Sequence, residues 1–199
     1  QISNFLELGC IPAPHTLDKE IKKLYPAEIL EFSTKTFSIT KKIRYWKIED
    51  YIDKNKFEKD KFFDLFNKSV EKRLLSDVPL ANLLSGGIDS TSIIKAQFDN
   101  KITPINTYTI KNTEKKYDES QWAKKVSDRY ETNHEVVEIN GNNLSIDPLE
   151  IIKCFDEPYS DPSIFPSHMI YKNISKKFKV ALSGDGGDEL LGGYEKITI

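Results

Sequence analysis

Cysteine is scarce in this sequence: Cys10 and Cys154 are the only two in 199 residues. Two are too few for a disulfide framework, and neither stands in a metal-ligand spacing. Long hydrophobic runs are also missing, which excludes a membrane-spanning helix. The N-terminus, Gln1-Ile2-Ser3-Asn4, lacks the basic-then-apolar pattern of a secretory signal. An excess of basic charge is absent too: Lys and Arg number 29 against 31 Asp and Glu, a net −2. No global basic field recruits nucleic acid. These absences together describe a reduced, cytoplasmic protein with neither nucleic acid nor membrane as partner. Methionine occurs once, at Met169, so the sequence does not begin at an initiator and is expected to be a fragment. What is present, 38% hydrophobic and 30% charged residues with 9 Gly and 9 Pro, suits a globular domain and excludes low-complexity or wholly disordered chains.

The pattern changes near residue 55. Before it, Pro12, Pro14 and Pro26 punctuate the chain. Two β-rich runs, residues 28–33 and 38–46, flank Thr34-Lys35-Thr36-Phe37 and predict a hairpin. The charged stretch 49–56 reads as a linker. From 57 to 75, Phe62, Phe66, Val70 and Leu74 recur every fourth residue, the spacing of a helix whose charges form a solvated face. Asp77-Val78-Pro79 ends it. After that, apolar strands at 80–84, 105–110, 135–139 and 179–183 alternate with helical stretches at 90–98, 119–130, 149–154 and 165–177. Such alternation predicts an α/β fold, an open parallel sheet with helices on both faces, preceded by the short hairpin and linker. In these sheets ligands bind beyond the carboxyl ends of the strands.

Two loops at those ends carry the chemistry. Ser85-Gly86-Gly87-Ile88-Asp89-Ser90 follows the first strand and opens a helix. Its glycines let the backbone approach an anion, and its hydroxyls and free N–H groups can cradle one. It lacks the Gly-Lys-Ser/Thr ending of the common NTPase phosphate loop. Instead Asp89 stands where a phosphate belongs, an arrangement that is repulsive unless a cation such as Mg²⁺ intervenes. The same residues also suit a plain strand-to-helix turn with a serine cap. Ser183-Gly184-Asp185-Gly186-Gly187-Asp188-Glu189 repeats the theme after the fourth strand, where it also suits a helix start with acids favouring the dipole. If the strand order is 3-2-1-4, the two loops face each other across one cleft.

Leu83-Leu84-Ser85-Gly86-Gly87-Ile88-Asp89-Ser90 resembles the pyrophosphate loop of the N-type ATP pyrophosphatases, enzymes that split ATP to AMP and pyrophosphate. The run from Lys179 through Ser183-Gly184-Asp185-Gly186-Gly187-Asp188-Glu189 to Gly192-Gly193-Tyr194 narrows this. It resembles the glutamine-hydrolysing asparagine synthetases, as do Gly9-Cys10-Ile11-Pro12-Ala13-Pro14-His15-Thr16 and Asp156-Glu157-Pro158 through Pro166. The resemblance implies an adenine nucleotide alpha hydrolase-like fold. It makes residues 1–55 the closing segment of a glutaminase domain with its linker, and 56–199 the first part of a synthetase domain. It implies an ATP-dependent amide ligase with ATP and Mg²⁺. The aspartate β-carboxylate is adenylated, and ammonia from glutamine, made by a glutaminase domain missing from this stretch, then displaces AMP. It places ATP contacts on Leu83, Leu84, Ser85, Gly86, Gly87, Asp89, Ser90, Ile110, Ser183 and Gly184. Asp89 and Asp188 hold the Mg²⁺-pyrophosphate, and Asp185 serves the acyl-adenylate step. A homodimer is allowed.

Other readings stay open. Tyr117-Asp118-Glu119-Ser120 suits either a family helix entry or an ordinary capping turn. His134 reads as a strand-start residue rather than a ligand. The polar, proline-rich stretch 157–163 reads as substrate-facing. It lacks the Arg by which some asparagine synthetases hold aspartate, so a relative that amidates another carboxylate, a sugar acid or β-lactam-type precursor, is the alternative. A non-catalytic nucleotide-binding fragment is the third reading.

Overall fold

The computed structural model describes residues 1–52, 56–139 and 147–194. The expected boundary at residue 55, the linker positions 53–55 and the final residues 195–199 lie outside the described residues. The chain forms two compact units, Gln1–Phe57 with Pro148–Pro162, and Glu58–Asp147 with Ser163–Ile199. The first unit thus takes in a stretch that a linear division at residue 55 assigns to the sheet.

In the first unit, helix α1 (Ile2–Leu8) ends at Gly9, which has φ 73° and whose N–H donates to Phe5 O at 2.8 Å. No sequence signal marks α1, because its apolar residues follow no stripe: Ile2, Leu6 and Leu8 are open to solvent and Phe5 alone is half-buried. Strands β1 (Glu28–Ser33) and β2 (Ser38–Arg44) make the expected antiparallel hairpin, with Ile29 opposite Ile43 and an irregularity between Glu31 and Phe32. A short helix α5 (Pro148–Ile152) completes the unit.

The second unit begins with helix α2 (Lys59–Arg73). It continues through β3 (Leu80–Leu83), α3 (Ile88–Asp99), β4 (Asn106–Asn112), α4 (Ser120–Tyr130) and β5 (Asn133–Ile139). It closes with α6 (Ile164–Ile174), β6 (Val180–Leu182) and α7 (Gly187–Leu191). The four strands are parallel in the order β5-β4-β3-β6, which is the 3-2-1-4 order. Alternation along each strand sends residues to two faces. Ala81, Tyr108 and Val137 pack with Ile170 and Ile174 of α6 on one face. Leu84, Ile94, Ile105 and Ala123 pack on the other, under α3 and α4, and α2 rests on α3. Helices cover both faces, as the α/β reading requires. Among the described residues no helix is long and apolar enough to cross a membrane.

The α3 side of the sheet also buries polar groups. Asn82 and Gln97, each 1% exposed, pair their amides: Gln97 Nε2 donates to Asn82 Oδ1 at 2.6 Å, and Asn82 Nδ2 donates to Gln97 Oε1 (3.4 Å) and Asn106 O (3.1 Å). Removing one partner strands the other without water, at about 1–3 kcal/mol, whereas replacing both with apolar residues of similar shape is nearly neutral. Asn82→Ala should therefore lower stability by about that amount in urea unfolding, and Asn82→Leu combined with Gln97→Met should recover most of it. Additive losses in the double variant would show that the pair is not the relevant unit.

Nearby, Thr107 Oγ1 lies 2.8 Å from Thr132 Oγ1 and 2.9 Å from His134 Nδ1, and Thr132 Oγ1 donates to Ser127 Oγ of α4 at 3.0 Å. His134 Nε2 is buried without a partner. Burial first, and then the charge of Lys124, push this imidazole below the usual histidine range, against a smaller opposing effect of Asp128. The unfolded chain therefore takes a proton at His134 more readily than the folded one. Stability from this source is present above about pH 6.5 and is lost as pH falls through it. His134→Asn should flatten the decline in urea-unfolding stability between pH 7 and 5.5; an unchanged slope would rule out His134 as its origin.

Candidate active site

The first glycine-rich loop leaves β3 and enters α3. Its hydroxyls are mutually engaged: Ser85 Oγ and Ser90 Oγ lie 3.0 Å apart, the Ser85 N–H donates to Ser90 Oγ (3.3 Å), and the Gly87 N–H donates to Ser85 Oγ (3.2 Å). Ser90 is buried and also donates to Gly87 O at 3.4 Å. The loop is thus preformed around its own side chains. Gly86 has φ +84°, and a Cβ there would lie 2.5 Å from the Trp122 carbonyl carbon and 2.6 Å from the Ala123 nitrogen. The first turn of α4 presses directly on this residue.

The second loop leaves β6 and enters α7. Ser183 Oγ donates to Asp185 Oδ2 at 2.8 Å, and the Gly187 N–H donates to Gly184 O at 3.1 Å. The loop lies on the first one through its glycines. A Cβ on Gly184 would sit 3.1 Å from Asp89 Cβ and 3.2 Å from the Ser90 nitrogen; one on Gly187 would sit 2.5 Å from Asp89 Cγ and Oδ2.

Between the loops is a cleft of about 290 Å³. Leu83, Ser85, Gly87, Asp89 and Ser90 line it from the first loop; Ser183, Gly184, Asp185 and Asp188 line it from the second. These were all legible as candidates. Three others lie elsewhere. Leu84 is 2% exposed in the core beneath α3 and α4, its N–H donating to Tyr108 O at 2.8 Å. Ile110 packs against the α6-side core. Gly86 faces α4 rather than the cleft.

Ile88 lines the cleft as well, 82% exposed. Its signal is an apolar residue held between Gly87 and Asp89 at a helix start, where no core position is expected. Tyr171 of α6 feels the same site: partial burial, then the negative charge of Asp185, push its phenol upward. Tyr194 donates to Glu189 Oε1 at 2.7 Å, which, with burial and the charges of Glu189, Asp188 and Asp185, pushes its phenol up to about 12. Neither tyrosine has a local sequence signal, because each reaches the acids from another element or turn.

Three carboxylates line the cleft and, among the described residues, no Lys or Arg does. A cation offsets the repulsion that an anionic phosphate meets in such a site. Among the described residues no group of three or more His, Cys, Asp or Glu is gathered closely enough to hold a metal ion alone. The donor set therefore fits Mg²⁺, which keeps its waters and is held through one or two carboxylates together with substrate phosphates. The carboxylates that could take part are Asp89, Asp185 and Asp188.

Residues 61–198 match the family model described as asparagine synthase. The chain belongs to the asparagine synthase family. It is 34% identical to a putative glutamine-hydrolysing asparagine synthetase 2 of Methanocaldococcus jannaschii over 96% of this chain and 37% of that protein. Identity to the glutamine-hydrolysing asparagine synthetase 1 of Bacillus subtilis is 29%, over 97% of this chain and 30% of that protein. The chain thus spans about a third of the length of these relatives. An ammonia-dependent NAD synthetase from Campylobacter jejuni aligns over 69% of this chain and 61% of its own, with TM-score 0.44 and 17% identity.

Within this asparagine synthase family domain, Gly86 is the position where conformation and space both forbid a side chain. Gly86→Ala should lower stability by about 1–3 kcal/mol in urea unfolding and perturb Trp122 fluorescence, since its Cβ meets backbone that cannot rotate away. Wild-type stability with unchanged emission would contradict the α4 contact.

Proposed function

We propose that this chain carries the nucleotide-binding part of an ATP-dependent amide ligase of asparagine synthetase type, acting on the β-carboxylate of aspartate. Residues 56–199 then form the first part of the synthetase domain and residues 1–55 the end of a glutaminase domain with its linker. The observation that carries the reading is the meeting of two glycine-rich loops at Asp89, which puts three carboxylates and three serines around one cleft beyond adjacent parallel strands. Family membership supports the reaction class.

A carboxylate oxygen of the acceptor attacks the ATP α-phosphorus. The bond to the bridging α–β oxygen breaks, and pyrophosphate leaves with the electron pair. Ammonia then attacks the acyl carbon, AMP departs with the acyl C–O electron pair, and one ammonia proton is lost to solvent. Bound Mg²⁺ supplies neutralisation of charge on the pyrophosphate. Asp89 and Asp188 hold the metal side of the nucleotide. Leu83, Ser85, Gly87, Ser90, Ser183 and Gly184 surround the phosphates, and the preformed first loop costs no rearrangement when they bind. The adenine edge is read by the backbone near the ends of β3 and β4, by the carbonyl of Leu84, whose N–H is already given to Tyr108 O, and by the backbone of Ile110, two residues before β4 ends. Asp185, held by Ser183 Oγ, works near the reacting carboxyl. A second reading, amidation of a different carboxylate, is favoured by one feature: residues 156–163 contain no Arg to bind the aspartate carboxylate.

In the full-length protein, labelled ATP with aspartate should yield AMP and pyrophosphate. Asp89→Asn should weaken Mg·ATP binding in calorimetry. Asp185→Asn should leave that binding largely intact and reduce pyrophosphate release by about 10²–10³, the cost of losing one group used in the transition state. Release of ADP and phosphate would refute the reaction. Loss of ATP affinity in Asp185→Asn with normal turnover at saturating ATP would reverse its role.

A further inference from the structure

Two adjacent glycines close α7, and they are glycine for different reasons. Gly192 has φ +73°, a conformation that L side chains rarely adopt, and nothing lies within 4 Å of where its Cβ would be. It is a helix C-cap, glycine for conformation. Gly193 is the reverse. Its φ is outside the left-handed range, so its backbone accepts any residue. Yet a Cβ there would lie 1.8 Å from Asp188 Oδ1, 2.9 Å from Asp188 Cγ and 3.3 Å from Asp188 Cα. The N–H groups of Gly192 (2.9 Å) and Gly193 (3.1 Å) both donate to Asp188 O. The chain therefore doubles back on Asp188, in the first turn of the helix, and sets its bare Cα against that residue's carboxylate.

We infer that Gly193 is a positioning residue: it leaves vacant the volume in which the Asp188 carboxylate is held toward the cleft. Asp188 lines that cleft, and the inference rests on the reading of Asp188 as a metal-side carboxylate. A methyl group at 193 cannot coexist with the carboxylate where it stands. The flexible partner gives way, so Asp188 rotates while the backbone stays. What is lost is affinity for the metal-loaded nucleotide, with no loss for the nucleotide alone.

The test compares wild type, Gly193→Ala, Asp188→Ala and the double variant in the full-length protein, by calorimetric titration with Mg·ATP and with ATP in excess chelator. Gly193→Ala should weaken Mg·ATP binding by about 10–100-fold, the usual effect of removing a group that orients a metal ligand, and leave metal-free ATP binding unchanged. On the Asp188→Ala background the same substitution should cost nothing further. If Gly193→Ala is unfolded, Asp188→Ala should restore folding, because the clash is with that side chain; failure to restore it overturns the inference. Wild-type Mg·ATP affinity in Gly193→Ala, alongside a loss in Asp188→Ala, overturns it as well. Undiminished affinity in Asp188→Ala overturns the metal reading of the site and the inference with it.

Discussion

The site depends on one close approach, the backbone of the second loop lying on the side chain of Asp89 with no Cβ between them. That approach follows from the sheet. β3 and β6 are parallel neighbours with Leu80, Ala81 and Asn82 opposite Val180, Ala181 and Leu182, so both strands end at the same level and release their loops together. A register shift by one residue would exchange the two faces of β6 and move its loop off Asp89. The first loop is fixed from the other side, where the first turn of α4 bears on Gly86. Held between α4 and the second loop, and tied by its own serine hydroxyls, it has little freedom left. Such rigidity suits the recognition of a ligand by oriented groups, because no reorganisation is needed when it arrives.

Charge sets the problem that an anionic ligand meets in the cleft. Two unit charges 4 Å apart interact by about 4 kcal/mol at the effective dielectric near a protein surface. A phosphate facing three carboxylates meets repulsion of that order from each one it approaches closely. The hydroxyls do not offset this, since Ser85 and Ser90 bond each other and Ser183 bonds Asp185. The protein has spent its neutral donors on shaping the loops. Attraction for an anion is left to backbone N–H groups and to whatever cation accompanies it.

Much of this was legible because glycine, serine and aspartate state their chemistry locally. The order of types in 85–90 and 183–189 marks two glycine-rich loops that open helices, and strand-helix alternation sets the parallel sheet beneath them. Side-chain direction was not legible. Leu84 and Ile110 read alike as strand-end residues, yet the side chain of Leu84 turns into the α3–α4 core and that of Ile110 into the α6 core, and the Leu84 N–H is taken by Tyr108 O. Gly86 was legible as a flexible position but not as the floor beneath Trp122, because that contact joins segments far apart in sequence. The grouping of Pro148–Pro162 with the N-terminal unit escaped for the same reason.

That grouping shows how a single device recurs. Two segments whose sequences resemble one family, around Gly9 and around Glu157, meet within the first unit. Ser160 Oγ donates to Gly9 O at 3.2 Å, Lys23 pairs with Glu157, and Lys23 Nζ donates to Ile11 O at 2.8 Å. A Cβ on Gly9 would lie 2.3 Å from Ser160 Oγ. The same relation joins Gly187 to Asp89 and Gly193 to Asp188: a bare Cα, and a polar side chain filling the space above it. A glycine of this kind carries no flexibility argument. It is a mould for another residue, and its requirement is set by volume rather than by φ. Gly9 satisfies both conditions, with φ +73° and the seryl oxygen above it, whereas Gly187 and Gly193 satisfy only the second. The two that shape carboxylates are therefore the positions where alanine would keep the backbone and misplace the acid.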